Sequence, residues 1–215
     1  MKKGCILCLL ISVISLPLIA QNIIYSNLKE LLTQHGDTTA VLRVEKRSRN
    51  QIVLTGGADY RITAGDDESM CRRLKKRCFA VRDEKGNLYL NCRKLRYKKL
   101  RFGAWYAPAV QLGKNIYFCA MPLGSVIGGN FVEEDDVKLG GNIGDALAAS
   151  SLVTKRVCYE LNGETGKVDF LGKDRMLQLL KNYPELKQAY LKDDSQEAKH
   201  TFKYLDRKST RLNSS

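Results

Sequence analysis

The sequence predicts an α+β fold: an antiparallel, sheet-rich domain with short helices and a helical C-terminal segment. Two observations carry this. Short alternating apolar and polar stretches, punctuated by Gly, Asn and Asp, recur from about residue 40 to residue 171. Beyond that point the apolar residues Met176, Leu177, Leu180 and Tyr183 recur at helical spacing. Sheet followed by helices is the α+β arrangement. A third observation sets the limits of the fold: both ends differ in character from the middle. The organisation read from this is a leader at 1–20, an α+β domain at 21–171, a helical segment of the same domain at 172–205, and a tail at 206–215.

The leader has Lys2 and Lys3 before an apolar run from Gly4 to Leu16, then Pro17, with Ala20 just ahead of Gln21. This is the layout of a secretory signal peptide. A membrane-spanning helix wants about 20 consecutive apolar residues, and Ser12, Ser15 and Pro17 interrupt a shorter run. Cys5 and Cys8 lie too early for a lipoprotein cysteine. Export to the periplasm or the exterior is therefore expected, with no transmembrane segment in the mature chain. The tail, DRKSTRLNSS, reads as an in-frame translation of a sequencing adapter and is set aside as an artefact, as an expression tag would be.

Along the domain, Asn27 followed by Glu30 has the spacing of a helix start. Leu28, Leu31 and Leu32 form one apolar side and Gly36 a stop, so a helix is expected at about 27–34. Alternation at 40–45 and the runs Ile52–Thr55 and Tyr60–Thr63 predict an antiparallel meander. Asp66 is placed to cap a helix over about 67–77. Phe79–Val81 and Leu88–Leu90 flank a turn-rich Asp83–Asn87 and predict a hairpin that sets Cys78 opposite Cys92. A disulfide there is geometrically conceivable, and two unbonded thiols are the equal alternative. Strands are expected through Leu95 and Tyr97, at Phe102–Tyr106 and at Asn115–Ala120, with Pro108 at an edge or a bend. Residues 124–144 are glycine-rich, with an acidic patch at Glu133–Asp136 and a small-residue helix at about 143–151. A second hairpin joins 156–161 to 167–171 around Asn162–Gly166. Pro184 suits the first turn of the next helix.

The stretches VEKRSRNQIVLTGGADYRI (44–62), NCRKLRYKKLRFGAWYAPA (91–109), LGGNIGDALAASSLV (139–153) and FLGKDRMLQLLKNYPEL (170–186) together resemble a family of small exported proteins from Gram-negative anaerobes, a domain of unknown function. The resemblance implies export and one domain. It carries over no catalytic residue.

Charge is the sharpest functional signal. The chain carries +13 overall. Cys71–Arg101 alone contains thirteen Lys or Arg against Asp83 and Glu84, a net +11, so everything outside is near balance. Such an excess speaks to partners, not to fold. The candidate anion-binding residues are Arg72, Arg73, Lys75 and Lys76 on the predicted helix, and Arg93, Lys94, Arg96, Lys98 and Lys99 beyond the hairpin. In an extended strand Lys94, Arg96 and Lys98 share one face. Arginine's planar fork suits phosphate and carboxylate. Tyr97, Phe102, Trp105 and Tyr106 are nearby rings able to stack on sugars. Outside the cytosol the expected polyanions are glycans, lipopolysaccharide and anionic membrane surfaces. Nucleic acid is not the expected partner. The bland alternative is a solvated face that keeps sheet edges blunt.

Catalytic signals are poor. His35 and His200 are the two histidines, and neither has a recognisable partner. A Cys158–His200 pair lacks local support. No nucleophile elbow, metal-ligand spacing or cofactor motif is present, so no catalytic residue, metal or cofactor is assigned. The expected role is a noncatalytic exported binder of an anionic envelope or glycan component. The alternatives are a structural or assembly protein that docks on another envelope protein, and a hydrolase with an unrecognised site.

Overall fold

A computed structural model describes residues 21–39, 41–55, 57–98, 100–120, 156–193 and 198–213. The leader, the glycine-rich segment with its acidic patch and small-residue helix, and Lys99 lie outside the described residues.

The framework is one antiparallel sheet. Its strands are β1 (Asn22–Tyr25), β2 (Asp37–Thr39), β3 (Arg43–Lys46), β4 (Tyr60–Thr63), β5 (Ala80–Arg82), β6 (Leu88–Asn91), β9 (Tyr106–Leu112), β10 (Asn115–Ala120), β11 (Val157–Leu161) and β12 (Val168–Phe170). The order is β12-β11-β10-β9-β6-β5-β1-β2, and β4 joins β9 at one pair, Tyr60 with Tyr106, while also pairing with β3. A separate two-stranded ribbon joins β7 (Arg96–Tyr97) to β8 (Leu100–Arg101).

Side chains alternate across this sheet. Ala80, Leu88, Leu90, Ala107, Ala109, Ile116 and Phe118 face one cluster, with Leu95 and Phe102 from the ribbon region and Leu31 from helix α1 (Leu28–Leu32) laid over it. Their neighbours Val81, Tyr89 and Tyr106 point the other way, under Leu74 of helix α3 (Glu68–Lys76). Farther along that second face, Val110, Leu112, Tyr117 and Cys119 meet Met176, Leu180, Leu186, Tyr204 and Leu205. These last five come from helix α4 (Lys173–Leu179), its C-cap, helix α5 (Pro184–Lys192) and helix α6 (Ala198–Asn213). Helix α6 runs on through residue 206, and Lys208 Nζ donates to the Leu179 carbonyl at 2.8 Å. Among the described residues no helix is long and apolar enough to cross a membrane.

Several local expectations need correction. Ile52–Thr55 is not a strand but the end of helix α2 (Arg49–Thr55). Its β-branched residues suggest sheet, yet Ser48 and Gln51 make a reciprocal capping box: Gln51 Oε1 accepts from Ser48 N at 2.8 Å, and Gln51 N donates to Ser48 Oγ at 3.3 Å. The cap of α3 is Asp67, one residue later than expected, with its carboxylate accepting from Met70 N at 2.9 Å. Residues 92–94 form a 3-10 turn and Lys98 has φ 53°, so Lys94, Arg96 and Lys98 do not lie along one extended strand. Phe102–Trp105 is a loop, and the strand begins at Tyr106. Pro108 sits inside β9 opposite Tyr89, but the β10 ladder stops beside it at Ala109, where a residue without N–H ends pairing.

Candidate anion-binding site

The loop Phe102–Trp105 closes over Gly57. Ala58 N donates to Ala104 O and Cys92 N to Trp105 O, both at 2.9 Å. Gly57 has φ 82°, and a Cβ built there lies 2.5 Å from Ala104 O and 2.8 Å from Trp105 Cδ1, so no side chain fits. Trp105 itself has φ 75°. For a bulky L-residue that conformation costs about 1–2 kcal/mol, and it persists because the flanking hydrogen bonds over-determine it. Local strain of this kind gathers at working sites, and here it falls on Trp105, the chain's one tryptophan.

Two guanidinium groups hold the indole. Arg47 Cζ lies 5.1 Å from the ring centroid and Arg61 Cζ 5.8 Å, both within cation–π range. Arg47 is only 7 % exposed. It donates to Ala58 O at 2.7 Å, to Gln51 O at 2.9 Å and to Thr55 Oγ1, so it is locked in place. Burial lowers its pKa from the ordinary arginine value, with Asp59 opposing and Arg156 adding to the shift. Asp59 also binds Arg156 through a forked ion pair with Nε at 2.9 Å. Arg61, in contrast, is exposed on β4, directly across from Glu45 of β3. Glu45, Lys46, Arg47, Gln51, Thr55, Arg61 and Trp105 line a groove of about 420 Å³.

A recess of about 30 Å³ also reaches the same indole and takes in Lys75 of α3 and Arg93 of the 3-10 turn. These two cations come together because the Leu74 carbonyl is shared. Asn91 Nδ2 donates to it at 3.1 Å and Tyr106 Oη at 2.8 Å, which ties the end of α3 to the start of the turn. Asn91 is 1 % exposed and fully committed to this bracket, donating also to Cys78 O at 2.9 Å.

The sequence-predicted cations are thus divided by the sheet. Arg72, Arg73, Lys75 and Lys76 ride on α3, which packs on the Leu74 face. Arg96 and Lys98 belong to the ribbon, whose neighbours Leu95 and Phe102 pack on the opposite face. Lys75 and Arg93 meet between them at Trp105. Arg73 is engaged with Asp37 in an ion pair. Lys94 is exposed, and Lys98 Nζ lies 5.3 Å from the Tyr97 ring centroid. Arg96 stands directly opposite Arg101 in the ribbon, an unfavourable like-charge pairing. Of the candidate rings, Phe102 and Tyr106 are each 2 % exposed and locked in the core, and Tyr97 leans on Tyr159. Trp105 is half-buried and is flanked by two guanidinium groups. Arg47 and Arg61 were missed by charge counting because they lie outside Cys71–Arg101; the signal that marks them is their position on either side of Gly56–Gly57.

Cys78 and Cys92 pack into clusters on opposite faces of the sheet. Burial pushes their thiols up to about 11 and about 12 respectively. His35 is exposed beside its own helix end, with Nδ1 at 2.5 Å from Thr33 O. No cluster of metal-ligating side chains occurs among the described residues. A larger groove, about 1020 Å³, runs past Arg82, Lys85 and Gln111 with α6 as one wall. Its rings Tyr60 and Tyr89 are turned onto each other at 5.1 Å and offer no comparable platform.

Residues 23–211 match one family, described as "Family of unknown function (DUF6563)". No curated protein and no solved structure matches the chain.

Proposed function

The chain belongs to this family of unknown function, and we propose that it is an exported, noncatalytic protein that binds an anionic envelope glycan at the Trp105 groove. The observation that carries this is the strained Trp105, fixed against the locked Arg47, with Arg61, Lys75 and Arg93 around it. An indole gives the C–H face of a sugar an apolar rest. The exposed cations meet carboxylate, sulfate or phosphate groups, and arginine does so through a two-pronged fork. Periplasmic or extracellular location supplies such polyanions. The basic surface then acts through the few cations at the ring, with Arg72, Lys76, Lys94 and Arg96 contributing field at longer range.

A second reading, docking on another envelope protein, is favoured by Leu54, which is 82 % exposed on α2 beside groove-lining Gln51 and Thr55.

Because Trp105 is the sole tryptophan, its emission reports the groove directly. The test is a fluorescence titration of the full chain with heparin-derived oligosaccharides, alongside a neutral oligosaccharide of equal length. The account expects a saturable change with the acidic ligand that weakens as salt rises, and none with the neutral one. Equal responses, or no response to either, would overturn it.

A further inference from the structure

Cys119 and Cys158 stand directly opposite each other on the paired strands β10 and β11. Their sulfurs are 2.6 Å apart. Unbonded heavy atoms rest at about 3.5–4.0 Å, so two separate thiols do not occupy these positions at ease. Opposed residues of an antiparallel pair have Cα atoms about 4.5–5.5 Å apart, which lies inside the span of about 4.4–6.8 Å that a disulfide bridges. The two residues are 6 % and 4 % exposed, set among Val110, Tyr117, Leu171 and Met176 beneath the C-terminal helices.

We propose that Cys119 and Cys158 form a structural disulfide that joins β10 to β11. The other cysteines lack such a partner. Cys71 contacts the backbone at Ala64 and Gly65. Cys78 donates to carbonyls of Tyr25 and Ala80. Cys92 lies on the opposite face of the sheet from Cys78. The odd number of cysteines after residue 20 is thereby reduced to one bridge and three separate thiols.

The chemistry is thiol–disulfide exchange with an external disulfide, supplied by an exchange protein or a small-molecule disulfide. One cysteine, as thiolate, attacks the oxidant and displaces one of its sulfurs. The second then attacks the mixed disulfide and releases the other. One S–S bond forms and one breaks. Two hydrogens and two electrons pass to the oxidant, which leaves as two thiols. Exchange takes place while the chain is still folding, because burial shuts the pair off from solvent afterwards. The facing Cys158 thiol, and after it burial, raise the Cys119 pKa well above the ordinary cysteine value, so the reduced pair is a poor nucleophile once enclosed. The bridge is consequently a staple and not a redox centre.

Trypsin separates all five cysteines after residue 20 into different peptides, with Cys119 in 115–138 and Cys158 in 157–167. The experiment reduces and denatures the full chain, refolds it in a glutathione redox buffer, alkylates it in denaturant without reductant, and maps the digest by mass spectrometry. Peptides 115–138 and 157–167 should appear as one linked species that reductant splits. Recovery of both as separate alkylated peptides, or Cys119 linked to any other cysteine, would overturn the proposal. In C158S the linked species should vanish and Cys119 become fully alkylated. A Cys119 that stays unalkylated in that variant would contradict the pairing.

Discussion

Replacing Gly57 by alanine isolates the contact that holds the Trp105 loop. Two effects add at this position. Alanine at φ 82° costs about 1–2 kcal/mol in conformational strain. Its Cβ also falls 2.5 Å from the Ala104 carbonyl oxygen, a backbone atom that cannot rotate away. Relieving that overlap requires the loop to lift, at the overpacking cost of about 1–3 kcal/mol. The total is about 2–5 kcal/mol. Gly86 is the matched control, because it has φ 84° and nothing within 4 Å of a built Cβ. Gly86→Ala should therefore carry the strain alone, about 1–2 kcal/mol. Urea unfolding of both variants gives the difference, and Trp105 emission in the native state gives its cause. Gly57→Ala should be the less stable of the two by about 1–3 kcal/mol and should shift the tryptophan spectrum to longer wavelength, with Gly86→Ala spectrally unchanged. Equal stabilities and identical spectra would refute the claim that close packing on Gly57 holds the indole in place.

Other consequences are open to direct measurement. Arg61→Gln should reduce the slope of log affinity against log salt for an acidic oligosaccharide by about 1, as one fewer ion is displaced, while leaving thermal stability near the wild-type value. Glu160 accepts from Arg175 Nε and Nη2 at 2.8 Å, from Tyr117 Oη at 3.0 Å and from Asn115 Nδ2 at 2.6 Å. The Arg175 hydrogen bond is the chief reason its pKa falls below the ordinary 4.5, against opposing desolvation. A carboxylate with a depressed folded-state pKa stabilises fully above its unfolded value and loses that contribution as pH falls through the folded one. Stability should decline below about pH 4.5, and Glu160→Gln should flatten that decline at a cost of about 1–3 kcal/mol near neutrality, as denaturant titrations across pH will show. Breaking the proposed bridge with C119S, in a chain refolded under oxidising conditions, removes a closure spanning 39 residues. The loop-entropy relation gives about 4 kcal/mol for that length, read as a lowered urea midpoint that reductant reproduces in the wild type.

Local chemistry was legible in the sequence where it acts over a few residues. Asn27 and Glu30 cap α1 through Glu30 N to Asn27 Oδ1 at 2.9 Å and Ser26 N to Glu30 Oε2 at 2.7 Å, as their spacing predicts. Both hairpins fall where their turn residues place them, at β5–β6 and β11–β12. The misread helix α2 shows the limit of that approach. Ile52 and Val53 carry strand propensity, but the Ser48–Gln51 box and the burial of Ile52 decide the outcome. The site was legible in part. Lys75, Arg93 and Trp105 stand out by charge and by type, whereas Arg47 and Arg61 reach the indole from β3–β4, more than forty residues upstream. The β4–β9 pair at Tyr60 and Tyr106 and the Ala58 N to Ala104 O hydrogen bond bring the two regions together. Pairing across that distance leaves no local signature. The same holds for the division of the basic segment, which depends on α3 and the ribbon packing on opposite faces.

The central claim is that an acidic glycan binds at the indole and not at the ribbon, and a paired titration of Trp105 emission tests it most directly. One variant reverses the cations around the ring (R61E, K75E and R93E), the other reverses the ribbon pair (R96E and R101E), and each is titrated with the same heparin-derived oligosaccharide at one salt concentration. The first should lose saturable binding, and the second should keep the wild-type midpoint to within a few-fold. Loss of binding in the ribbon variant, with the ring variant unaffected, would contradict the account.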